Sequence, residues 1–62
     1  MKNILKITVN KNDVVFITLY KELEFSLKPI EEHISYGKNK TDNILKEISN
    51  NNIIDVVKFE ML

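Results

Sequence analysis

The sequence predicts one small α+β domain, spanning 1–62: an antiparallel sheet of three or four strands with one or two short helices packed on one face. Three observations predict it. Two β-rich stretches flank a turn-forming tetrad near the start. A lone proline and a lone glycine punctuate the middle. An apolar stripe at helical spacing then precedes a final β-rich stretch. The order along the chain reads β-β-β-α-α-β.

Leu5, Ile7 and Val9 alternate with Lys6, Thr8 and Asn10, the period of a half-buried strand. Asn10-Lys11-Asn12-Asp13 supplies residues that tolerate tight turns. Val14 to Tyr20 follows, rich in β-branched and aromatic side chains, so the two strands form a hairpin. This second strand is apolar on both faces. Val15, Ile17 and Leu19 point one way, and Val14, Phe16 and Tyr20 point the other with Thr18 among them. A small antiparallel sheet ordinarily shows water one polar face. The second face therefore needs cover, from the chain's own helices or from another copy.

Residues 22–28 fit two patterns. Glu22-Leu23-Glu24-Phe25-Ser26-Leu27 alternates as a strand, whereas Tyr20, Leu23, Leu27, Ile30 and Ile34 recur at helical spacing. Proline suits the first turn of a helix and biases its predecessor toward extended backbone, so Pro29 favours a strand over 22–28. A short helix from Pro29 to Tyr36 would then end at Gly37 as a left-handed stop. Lys38 to Lys40 reads as a polar loop. Thr41 or Asp42 would cap a second helix reaching about Ser49, with Ile44, Leu45 and Ile48 on its buried stripe. Asn50-Asn51-Asn52 ends it, and Ile53 to Met61 reads as the last strand.

Composition narrows the function. All nine basic residues are lysine, and Arg, Cys and Trp are absent. No glycine-rich phosphate loop, thiol nucleophile or Ser-His-Asp set can be assembled, so no enzyme activity, catalytic residue or cofactor is expected. One histidine makes a zinc site only if several carboxylates gather around it, and none is expected. His33 lies among Glu31, Glu32 and Ser35 and reads as a structural side chain. Glu22 and Glu24 would share a strand face, but Lys21 and Lys28 flank them as on a solvated edge. A domain of 62 residues buries only about 60% of its unfolded surface, and without disulfide or metal its supports are close packing or oligomerisation.

Net charge is zero, against the basic excess of most nucleic-acid binders. Lys38 and Lys40, beside Tyr36 and with Lys46 on the next helix, form the best local basic group. A small nucleic-acid-binding regulator using these lysines is the second reading. No apolar run nears the roughly 20 residues that cross a bilayer, and the start carries no export signal, so a cytoplasmic location and no membrane partner are expected. Asn39-Lys40-Thr41 matches a glycosylation sequon and reads as a polar loop. The wealth of Ile, Lys and Asn with no Ala suggests an A/T-rich coding sequence, as in low-GC bacteria and their viruses.

The remaining signal is apolar surface. Val14, Phe16 and Tyr20 are the expected self-association residues of a homodimer, and Met61-Leu62 adds to the excess. An unpaired sheet edge is a further template for symmetric pairing. Tyr36, Lys38, Lys40 and Thr41 are the expected exposed contacts to a host or cognate protein. The first reading is thus a non-enzymatic interaction protein, an inhibitor or modulator of phage or mobile-element type, with anti-defence action as one form.

Overall fold

A computed structural model describes residues 2–62. Strand β1, Lys2–Val9, turns at Asn10 into β2, Val14–Leu23. The Asn10 side chain sets that turn. Its Oδ1 accepts the backbone N–H groups of Asn12 at 3.0 Å and Val14 at 3.3 Å. Asp13 completes the loop in the left-handed region, φ 59°, which short polar side chains tolerate better than most. The hairpin register places Leu5 opposite Leu19, Ile7 opposite Ile17 and Val9 opposite Val15.

Glu24 and Phe25 make a two-residue turn into β3, Ser26–Tyr36. The single strand expected over 22–28 is instead the end of β2, a turn and the start of β3, and the expected helix over Pro29–Tyr36 is strand. Pro29 is accommodated because β3 lies at the sheet edge and because the β2–β3 register shifts there: Tyr20 pairs with Pro29 and Leu19 with Glu31. Ile30 is left as the extra residue of a bulge. Beyond it Ile34 and Tyr36 alternate with His33 and Ser35, and strand pairing with β2 outweighs the helical spacing.

Gly37 precedes a helix rather than ending one. With φ 88° and ψ 162° it turns the chain off the sheet edge into α1, Lys38–Asn51. The expected loop Lys38–Lys40 is the first turn of this helix, and Thr41 and Asp42 lie inside it rather than at its cap. No side chain caps its N-terminus. Instead the Thr41 hydroxyl donates to the Gly37 carbonyl at 2.9 Å, and Ser35 Oγ lies 2.6 Å from Thr41 Oγ1. Thr41 has one proton, committed to Gly37, so the buried Ser35 hydroxyl is the donor of that pair.

After Asn52 the chain crosses to β4, Val56–Met61, which pairs parallel to β1. The sheet is thus mixed, in the order β3-β2-β1-β4, and not wholly antiparallel as expected. A helix between the outer strands β3 and β4 brings the chain back in the direction of β1, as crossover connections do. Among the described residues the order is β-β-β-α-β, with one helix. Leu5, Ile7, Val15, Ile17, Leu19 and Ile48 form the buried cluster, and Val9, Ile44, Leu45 and Ile54 pack against it.

Candidate interaction surface

Cross-strand register sorts the side chains into rows. On the helix side the rows run Glu31–Leu19–Leu5–Val57, His33–Ile17–Ile7–Phe59 and Ser35–Val15–Val9–Met61. Each row is polar at β3, buried or half-buried in the middle and apolar at β4. Helix α1 is tied to the polar end, through Thr41 on Ser35 and through Asn52 Nδ2, 3.4 Å from Glu31 Oε1. That placement leaves Val57, Phe59 and Met61 exposed, Phe59 by 62%.

The opposite face carries no helix. Its rows run Pro29–Tyr20–Ile4–Val56, then Glu32–Thr18–Lys6–Lys58, then Ile34–Phe16–Thr8–Glu60, with Tyr36 beside Val14 at the end. Phe16 is 39% exposed, Ile34 and Tyr36 more so, and Val14 is half-buried. These four residues form one contiguous apolar patch over β2 and β3. Tyr20 shares their face but is cut off by the polar row through Thr18. It packs instead in the row of Ile4, which is buried between Tyr20 and Val56. The residues expected at the self-association surface therefore fall into two groups, Val14 with Phe16 and Tyr20 apart.

Tyr36 joins the first group, which residue spacing alone did not indicate. Ile34 is the residue that sequence reasoning missed on this patch. Its signal was present: once 26–36 is strand, Ile34 and Tyr36 stand two apart on the face of Phe16. Thr41 is half-buried and bonded within its own chain, so it is no free contact. Lys38, Lys40 and Lys46 are exposed on α1. At about 100° per residue Lys40 stands roughly 200° round from Lys38, and Lys46 roughly 80°, so the three form no single stripe. The helix also carries Asp42 and Glu47.

The acidic candidates are spread over both faces of the sheet and a turn. Glu31 and His33 share the helix-side face, 3.7 Å apart, while Glu32 points to the other face. Glu22 is the next-to-last residue of β2 and Glu24 sits in the turn, so the two do not form the strand-face pair expected of them. Among the described residues no three His, Asp or Glu side chains converge as a metal site would require. Among the described residues no helix is long and apolar enough to cross a membrane. No protein-family model, curated protein or solved structure matches this chain.

Proposed function

We propose that this chain is a non-enzymatic interaction module that binds another protein through Val14, Phe16, Ile34 and Tyr36. The observation that carries the reading is Phe16, an aromatic side chain at the centre of a helix-free sheet face, directly opposite Ile34. With 39% of Phe16 still in water, a partner would recover only the corresponding part of the about 1.5–3 kcal/mol that full burial contributes, and aromatic residues set in an apolar patch with a polar border favour protein contact. Here the row of Glu32, Thr18, Lys6 and Lys58 supplies that border. The concrete form is a modulator or inhibitor of a host protein, of the phage or mobile-element kind. Small size, zero net charge and the A/T-type composition support that form, and with them the anti-defence variant.

The test is affinity capture from the native cell with three tagged chains: wild type, Phe16→Asp and, as a surface control, Lys46→Glu. A protein retained by wild type and Lys46→Glu but lost with Phe16→Asp, and then bound by the purified chain in titration calorimetry, supports the reading. Equal retention by Phe16→Asp, with its circular dichroism unchanged, refutes it.

A further inference from the structure

The two edges of the sheet differ. Edge β3 is blunted by Pro29 and by the register shift beside it, devices that deter strand addition. Edge β4 has no proline and no bulge, and its helix-side residues Val57, Phe59 and Met61 are bare. We propose that a second copy of this chain docks on β4, antiparallel and in one register, with Phe59 opposite Phe59 of the other copy.

Backbone direction limits the registers available. Leu62 N–H donates to Val9 O at 2.8 Å, and Met61 is the partner of Val9. By the alternation of a pleated strand, Val56, Lys58 and Glu60 turn their N–H and C=O groups toward β1. Val57, Phe59 and Met61 turn theirs to the free edge. An antiparallel partner must therefore set odd residues against odd residues as its hydrogen-bonded pairs.

Charge then selects among these registers. With Phe59 on the two-fold axis, Lys58 faces Glu60 of the other copy and Glu60 faces its Lys58. Val57 meets Met61 on the helix side, twice. A slip of the strand by two residues either way places Lys58 on Lys58 or Glu60 on Glu60, and like charges directly opposed are destabilising. Within its own chain Lys58 stands beside Lys6, whose ammonium lies 3.6 Å from Glu60. A carboxylate across the edge would give Lys58 the neighbour of opposite sign that its own register partner does not provide.

The product is one continuous eight-stranded sheet with both helices on the same side. Val57, Phe59 and Met61 from each copy fill the trough between the helices. This inference goes beyond the open-face reading and does not depend on it, since the dimer leaves Phe16, Ile34 and Tyr36 free.

Sedimentation velocity of the full chain over a concentration series tests it. Wild type is expected to dimerise. Lys58→Glu is expected to weaken dimerisation at least roughly tenfold while staying folded, because its new carboxylate opposes Glu60 across the edge but stands beside Lys6 in its own chain. Glu60→Lys alone is expected to behave likewise, and an equimolar mixture of the two variants to dimerise again, since every cross-edge pair is then of opposite sign. Phe59→Cys, in a chain that otherwise lacks cysteine, adds a position marker: paired Cα atoms about 5.5 Å apart lie within disulfide range. Mild oxidation should link Phe59→Cys chains and leave Phe16→Cys chains unlinked. A monomeric wild type at high concentration overturns the proposal. So does a dimer that Phe16→Asp abolishes and Lys58→Glu leaves intact.

Discussion

Asn3 and Asp55 hold each other in a reciprocal clasp. The Asn3 N–H donates to Asp55 Oδ2 at 2.8 Å, and the Asp55 N–H donates to the Asn3 carbonyl at 2.9 Å. Asn3 Nδ2 adds a third bond, to the Ile53 carbonyl at 2.7 Å. These contacts join residues fifty or more positions apart and fix the register in which β4 enters beside β1. A parallel strand has no hairpin to align it, so side-chain bonds at its entry take over that task.

Asp55→Ala should therefore destabilise the fold by about 1–2 kcal/mol, the value of a charge-assisted bond at a partly solvated site. Loss should be local first. Amide exchange in β4 is expected to quicken more than exchange in β1 or β2, and Asp55→Asn, which keeps an acceptor, should recover part of the loss. Equal protection in all four strands would show that the clasp does not set β4.

Ile48 is the one fully buried side chain of α1, at 1% exposure, and it joins the helix to the cluster around Ile17 and Leu19. Truncating such a residue costs about 2–5 kcal/mol. A domain of this length has roughly 3–9 kcal/mol in total. Ile48→Ala should accordingly leave a large unfolded fraction in urea titration at room temperature. Leu45→Ala, at a half-buried site, should shift the midpoint less.

Part of this architecture is legible in the sequence alone. The β1–β2 hairpin follows from alternation around Asn10–Asp13, and Ile44, Leu45 and Ile48 do form the packed stripe of the helix. The middle of the chain was not legible, because Ile30 and Ile34 satisfy two periods at once. Pro29 then carried opposite meanings: helix start by local preference, edge-strand bulge by tertiary pairing. Only the partner strand decides between them. The same ambiguity hid Ile34 from the open-face patch, whereas the split of Tyr20 from Phe16 comes from the cross-strand row of Glu32, Thr18, Lys6 and Lys58. Strand order was beyond local pattern too, so the bare edge at Phe59 could be suspected as surplus apolar surface but not placed.

Asp13 adopts φ 59°, a region costly for residues with a branched Cβ. Asp13→Val should destabilise by about 1–2 kcal/mol, whereas Asp13→Gly should be neutral or stabilising by up to about 0.5 kcal/mol. Thermal unfolding of the two variants measures the difference. The Asp13 carbonyl that accepts the Gly37 N–H is untouched in both, which keeps the comparison on backbone strain.

Lys21 and Lys28 stand directly opposite each other across β2 and β3. Their ammonium groups repel, at a cost of a few tenths of a kcal/mol when solvated. Lys28→Glu should convert this into an attractive pair and raise stability by about 0.5 kcal/mol. The gain should shrink in high salt. A gain that persists at high salt would assign the effect to strand propensity or packing instead.

The lysines of the first helical turn separate the two functional readings. Lys38 and Lys40 lie at the positive end of the α1 dipole, where no acidic residue balances them. Such placement disfavours the helix by about 0.3–1 kcal/mol for each charge. Lys40→Glu should thus stabilise the fold by at least that amount. Under the nucleic-acid reading the same change should abolish a salt-sensitive mobility shift that wild type shows with DNA or RNA. Under the interaction reading wild type shows no such shift at low salt, and Lys40→Glu keeps the protein partner that Phe16→Asp loses. A more stable variant with undiminished partner binding marks the lysines as tolerated surface charge. A more stable variant that loses a wild-type mobility shift marks them as phosphate contacts, kept at the helix's expense.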